Sequence, residues 1–304
     1  HGKGRVFYTA WGHDQRTWGN PGFHNLLERG VRWACGQDPA LAGPASARPD
    51  MTTPPKGLAP FEYVPAKVPF YPASKKWGAQ AEPIARMQKP LPAAESVRHY
   101  VTPVGFAVRP FVTEEKLGGK PLAMAWDETG RLWVSVTRDY PNELKREGQG
   151  RDRIVVCTDT DGDGVCDAVT TFADQLSIVT SILPYAGGVI VHQAPVTLFL
   201  KDTDGDGTAD VRQELIRGWA TYDTHAGPSN LRYGFDNWVY GSVGYAGFAG
   251  TVGGERVSFK QGFYRFRVEA DGPAVKVAKL EFLRSTNNNT WGLNFDESGE
   301  LFGS

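Results

Sequence analysis

Apolar positions change period several times along the chain. Arg5-Val-Phe-Tyr-Thr9 is a short β-prone run and predicts a strand. After Asn20-Pro21, the residues Phe23, Leu27, Val31 and Ala34 recur every three or four positions, with Leu26 and Trp33 widening the stripe. That spacing predicts an amphipathic helix. Asn20 is a good N-cap, Pro21 suits the first helical position, and Gly36 is a natural stop. Between Pro39 and Pro92 the periodicity vanishes, and 12 of the chain's 21 prolines fall there. Such density excludes regular helix and central strand and favours extended chain. Phe61, Tyr63, Phe70, Tyr71 and Trp77 make this stretch too apolar for a solvated tether, so it should lie across a neighbouring surface. A short helix is expected over residues 93–100.

From about residue 104 the pattern becomes one of repeated short strands. Four similar cores follow one another: Trp126–Val134, Tyr185–Val191, Phe235–Tyr240 and Phe295–Phe302. Each is a turn with glycine or asparagine followed by a β-rich triplet or quartet. Taking Gly130, Gly188, Asn237 and Gly299 as equivalent, the spacings are 58, 49 and 62 residues. Such periods are those of propeller blades with loop insertions.

Composition narrows the class. The 304 residues carry a net charge of −1, which argues against nucleic acid as the main partner. No run of about 18 apolar residues is present, so no membrane span is expected in this chain. Glycine (36 residues) and the 12% aromatic content suit short strands joined by tight turns. The beginning, His1-Gly-Lys-Gly-Arg5, lacks a methionine or an apolar leader, and the chain reads as a piece of a longer protein.

Two acidic stretches are near-copies 43 residues apart: Asp159, Asp161, Asp163 and Asp167 in one, Asp202, Asp204, Asp206 and Asp210 in the other. Carboxylates at positions 1, 3, 5 and 9, with glycine at 6, match the first part of a calcium loop. The bidentate glutamate at position 12 is replaced by Thr170 and Gln213, which points to a weaker, extracellular type of Ca²⁺ loop. The alternative is an acidic turn held by Asx hydrogen bonds. Cys157 and Cys166 bracket the first loop. If its flanking strands form a hairpin, the two are placed to bridge, as in an oxidising periplasmic or extracellular setting; the alternative is two free thiols.

His225 stands alone in a Gly/Pro/Ser/Asn segment, followed by Gly227, Leu231, Gly234, Asp236 and Tyr240. This H-x-G-x-x-x-L-x-x-G-x-D-x-x-x-Y pattern, with the strand-turn-strand around Gly130, resembles the soluble quinoprotein glucose dehydrogenases and their sorbosone dehydrogenase-like relatives. The resemblance implies a six-bladed β-propeller, a sugar or polyol substrate, pyrroloquinoline quinone as cofactor, and His225 as the base that takes the hydroxyl proton. It aligns Asn289 with the asparagine of an Arg-Asn pair in those enzymes, puts Asn288 where they carry the cofactor-stabilising arginine, and loosely matches Gln175 to a cofactor-contacting glutamine. Arg232 and Arg284 are the candidates to replace the missing cation, Arg232 at the catalytic site.

Residues 1–36, with Gly12-His13-Asp14 after the first strand, resemble the C-terminal end of a ThuA-like (trehalose-utilisation) domain of glutamine-amidotransferase-like α/β fold. Together with the Pro-rich linker, the blade start and the paired acidic loops, the whole chain resembles a piece of the secreted PVC-type haem-binding proteins, in which a c-type cytochrome often follows the propeller. The expectation is therefore a mainly β chain: a ThuA-like remnant (1–36), a Pro-rich linker (37–103) and the first blades of a six- or seven-bladed propeller (104–304). Its expected function is oxidation of a sugar or polyol, with electrons passed to a c-type cytochrome, in the periplasm or outside the cell. The alternative is a non-catalytic, Ca²⁺-stabilised propeller that binds carbohydrate or a protein partner.

Overall fold

The structure is a computed structural model that describes Arg5, Phe7, Thr9 and residues 15–43, 52–53, 55–66, 85–272, 274–287, 290–296 and 298–303. Contacts separate the chain into two compact units after Arg109.

In the first unit, helices α1 (Gln15–Trp18) and α2 (Pro21–Ala34) follow one another. Asn20 caps α2 as expected, its Oδ1 accepting from the N–H groups of Gly22 and Phe23 at 2.8 and 3.4 Å. Gly36 takes a left-handed φ of 75° just past the helix end, where a side chain would be strained. Phe23 is buried, but Val31 is 59% exposed, so only part of the stripe meets the described chain. Of the strand expected over Arg5–Thr9, the described residues Arg5, Phe7 and Thr9 lie in no strand; Val6 and Tyr8 lie outside the described residues, as do Gly12, His13 and Asp14. The Pro-rich stretch is not wholly irregular. β1 (Tyr63–Pro65) pairs antiparallel with β2 (Arg86–Gln88), a two-strand ribbon that proline tolerates because both strands are edges. The expected short helix is α3 (Ala93–Val97).

The second unit is a succession of antiparallel sheets. After α4 (Glu114–Leu117) come β3 (Lys120–Trp126), β4 (Leu132–Thr137), β5 (Asp152–Thr158) and β6 (Ala168–Leu176), hydrogen-bonded in that order. The next sheet is β7 (Ser181–Tyr185), β8 (Gly188–Gln193), β9 (Val196–Lys201) and β10 (Val211–Arg217), again in sequence order. The third is built from β11 (Pro228–Tyr233), β12 (Val239–Val243), and, beyond the hairpin β13 (Phe248–Val252) and β14 (Glu255–Phe259), β15 (Gly262–Asp271) and β16 (Ala274–Ser285). A last pair, β17 (Leu293–Phe295) and β18 (Leu301–Gly303), begins a further unit. The first strands of consecutive sheets lie side by side: β3 against β7, β7 against β11, and β11 against β17.

The middle sheet shows why the sequence folds this way. Its strands β8 and β9 are buried on both faces. Val189, Val191, Leu198 and Leu200 pack on Trp133, Ile154 and Phe172 of the preceding sheet. Their alternate neighbours Ile190 and Phe199 pack with Leu231, Val239 and Phe266 of the following one. A near-continuous apolar run is what a strand needs when both faces are covered. The outer face of the first sheet is closed by Leu117 of α4, which packs with Leu132, Val134, Val155 and Cys157.

The strand-to-strand turns repeat one device. Asp127 accepts from the N–H groups of Thr129 and Arg131 and from Trp133 Nε1. Asp296 accepts likewise from Ser298 and Glu300. Burial alone would raise the Asp127 carboxyl, but the hydrogen bonds from Trp133, Arg131 and Thr129 outweigh it and hold the pKa well below the carboxylate range.

Because the strands alternate in direction, the connections fall on two ends of the unit. One end carries the tight turns 127–131, 186–187 and 234–238 and both acidic loops. The other carries 138–151, 177–180, 194–195, 218–227 and 244–261. Contacts at this second end bind the sheets together: Thr224 Oγ1 donates to the Pro141 carbonyl at 2.6 Å, the Lys145 N–H to Ser177 Oγ at 3.0 Å, and Thr180 Oγ1 to the Pro228 carbonyl at 2.5 Å.

Candidate functional site

Loop 138–151 is anchored by a buried carboxylate. Asp152 accepts from Thr137 Oγ1 and from the N–H groups of Arg138, Asp139 and Ile178, at 2.6–3.0 Å. Asp139, also buried, holds Arg151 at 2.6 Å across the base of the same loop. The loop is thereby fixed against the 177–180 connection, and it delivers Tyr140 to the neighbouring 218–227 connection.

His225 sits there, in a single 3-10 turn spanning Thr224–Ala226. Asp223 caps that turn: its Oδ1 accepts the His225 N–H at 2.9 Å and lies 3.3 Å from His225 Nδ1. The Tyr245 hydroxyl donates to the other oxygen, Oδ2. The Tyr140 ring meets the imidazole edge-on, with centroids 5.3 Å apart. The imidazole remains 60% exposed, and no described residue bonds to Nε2. Partial burial pushes the Asp223 carboxyl up, but hydrogen bonds from Tyr245 and His225 prevail and hold its pKa below the ordinary range. Tyr140 is shifted the opposite way, first by burial and then by the Asp223 charge. A small, mainly apolar pocket lies beside this group, lined by Leu144, Ile178, Thr180, Ala194, Asp223 and Pro228 among others. A carboxylate-paired imidazole with one open nitrogen, next to a pocket, is the arrangement of a general base.

The other residues expected at this site are dispersed. Arg232 lies near the far end of β11, about 13 Å along the strand from Pro228 at roughly 3.3 Å per residue, on the end of the unit that carries the acidic loops. It is exposed and bonds the carbonyl of Leu231. Gln175 is at the His225 end, but exposed on β6, the last strand of its sheet, with a left-handed φ of 54°. Arg284 is exposed near the end of β16. Asn288 and Asn289 lie outside the described residues. Asp223, Tyr245 and Tyr140 were not among the expected site residues. Asp223 was legible as an acidic N-cap two residues before a histidine, but Tyr140 is brought in from 85 residues away by packing between sheets.

In each acidic loop three of the four expected carboxylates converge. Ligand oxygens of Asp159, Asp161 and Asp167 lie within 4.8 Å of one another, and so do those of Asp202, Asp204 and Asp210. Asp163 and Asp206 stand apart and accept from the N–H groups of Val165 and Thr208, each at 2.7 Å. The Asx bonds of the alternative reading are present as well, such as Gly162 and Gly164 donating to Asp159. The cysteines flanking the first loop do meet, but as free thiols rather than the expected bridge. Both are buried, acting as small apolar groups, and burial together with Cys166 pushes the Cys157 thiol up to about 12.

Among solved structures, the carbohydrate-active enzyme of family AA12 from Trichoderma reesei, known in iodide and calcium forms, is 19% identical with a TM-score of 0.32; 41% of this chain aligns with 30% of it. The PQQ domain of pyranose dehydrogenase from Coprinopsis cinerea is 18% identical with a TM-score of 0.30, and 42% of this chain aligns with 29% of it. The chain thus spans less than a third of the length of either. No curated protein matches the sequence significantly. The family described as "Domain of unknown function (DUF7133)" matches residues 92–304, more than two thirds of the chain, and the chain belongs to that family.

Proposed function

We propose that the second unit forms blades of a β-propeller whose loop end oxidises a sugar or polyol hydroxyl, with His225 as the base. The propeller reading is supported by consecutive four-stranded meanders with their first strands side by side. The chemical reading is carried by one observation: the Asp223-paired, exposed His225 where connections from neighbouring sheets meet. His225 Nε2 takes the hydroxyl proton. In this reading the hydroxyl-bearing carbon gives its hydride to a two-electron acceptor, from which the electrons pass singly to a c-type cytochrome; a ThuA-like domain precedes the sheets, and the protein works in the periplasm or outside the cell.

The two cofactors implied by the resemblance fare differently. The all-oxygen clusters at Asp159, Asp161, Asp167 and at Asp202, Asp204, Asp210 fit Ca²⁺, a hard cation that takes oxygen ligands. Bound there, it would stiffen the loops at the end away from His225. Pyrroloquinoline quinone does not fit the described residues: Arg232 is at the wrong end and Gln175 is exposed on an outer strand.

That disagreement favours a second reading, a Ca²⁺-stabilised propeller that binds carbohydrate or a protein without turnover. The full-length protein with a panel of sugars and polyols, an electron-accepting dye and Ca²⁺, with and without added quinone, separates the two. Substrate-dependent dye reduction supports the first reading. Saturable sugar binding without reduction under either condition overturns it in favour of the second.

A further inference from the structure

His225 could present either ring nitrogen to a substrate, and its surroundings decide which. Nδ1 lies 3.3 Å from Asp223 Oδ1, while Nε2 has no bond from a described residue. A carboxylate is only an acceptor, so it favours the tautomer with its proton on Nδ1 and leaves the Nε2 lone pair free. Asp223 is itself held at two points: it caps the turn through the His225 N–H, and its second oxygen accepts from Tyr245. Tyr140 touches the imidazole edge from the neighbouring loop, and the bond from Thr224 Oγ1 to the Pro141 carbonyl ties that loop to the His225 turn.

We propose that Asp223, braced by Tyr245, is the positioning residue that fixes His225 in the Nδ1-protonated tautomer and leaves Nε2 free on the exposed side of the ring. The proposal rests on the proposed role of His225 for its catalytic meaning, but the tautomer itself is measurable without activity. Asp223 touches no reacting atom. It acts only through the ring, so its loss should lower kcat and leave KM nearly unchanged, as for an interaction realised in the transition state.

The test is ¹⁵N NMR of histidine-labelled full-length protein at a pH where the ring is neutral, with His225 assigned by its loss in His225→Gln. The expected spectrum shows a protonated Nδ1 and an unprotonated Nε2. In Asp223→Ser, which keeps a capping oxygen for the turn but removes the carboxylate, the two tautomers should mix. Tyr245→Phe should mix them partially. Where sugar oxidation is measurable, Asp223→Ser should lower kcat by about 10²-fold, the cost of a misplaced catalytic group. An Nε2-protonated ring in the native protein, or an unchanged tautomer in Asp223→Ser, would overturn the proposal. Absence of sugar oxidation in the native protein would sink the functional reading alone and leave the tautomer result standing.

Discussion

Acid should destabilise the sheets by charging His192, and His192→Gln should blunt that response. His192 is fully buried between the second and third sheets. Its Nδ1 is 2.8 Å from Thr197 Oγ1 and its Nε2 is 2.6 Å from the Tyr264 hydroxyl. Trp219 Nε1 donates to the same Thr197 oxygen at 2.8 Å. Burial lowers the His192 pKa to about 3 from the usual 6.5. Protons therefore bind the unfolded chain first. Stability is complete above pH 6.5 and is lost as the pH falls from there towards 3. At about 1.4 kcal/mol per pKa unit, the loss is about 2 kcal/mol at pH 5 and about 3 kcal/mol at pH 4. Against a typical total of roughly 5–15 kcal/mol, this is readily seen. Urea unfolding at pH 7 and pH 5, on the native protein and on His192→Gln, isolates the effect, because every other titrating group contributes equally to both. The variant should be weaker at pH 7 by about 1–3 kcal/mol, since it leaves a buried hydroxyl without its partner. It should then lose about 2 kcal/mol less than the native protein on going to pH 5. Equal losses would refute the assignment of acid sensitivity to this ring.

Two further outcomes are expected. A Cβ at Gly241 would sit 2.4 Å from the Tyr264 hydroxyl oxygen, so Gly241→Ala should cost about 1–3 kcal/mol by overpacking; a melting temperature unchanged from the native protein would show that the ring has room to move. At 10 mM, Ca²⁺ should stabilise the protein by about 1.4–2.7 kcal/mol per acidic loop for dissociation constants of about 10⁻⁴–10⁻³ M, with Asp161→Ala and Asp204→Ala each removing one loop's share. A thermal transition indifferent to Ca²⁺ and chelator would leave the loops as Asx turns only.

What could be read from the sequence was local. Asn20, Pro21 and Gly36 set the bounds of α2 because capping and left-handed termination depend on single residues. The turns at Asp127 and Asp296 were legible as Asp and Gly spaced around a β-rich pair, and the acidic loops as repeated carboxylate spacing. What could not be read was placement that depends on strand direction and on packing between sheets. Arg232 looked close to His225, being seven residues away, but a strand carries it to the opposite end of the unit. Asp163 and Asp206 have the spacing of ligands, yet their carboxylates turn back onto the loop's own N–H groups. The His192 cluster gathers Thr197, Trp219 and Tyr264 from separate segments; its only trace in the sequence was one histidine in the apolar run Gly188–Gln193.

The catalytic reading is tested most directly by comparing His225→Ala with Arg232→Ala in the full-length protein, using whichever sugar or polyol gives dye reduction. His225→Ala should lower kcat/KM by about 10²–10⁴, the usual contribution of a general base. Arg232→Ala, at the opposite end of the sheets, should stay close to the native rate. Unchanged turnover in His225→Ala, or a loss confined to Arg232→Ala, would contradict the site as drawn.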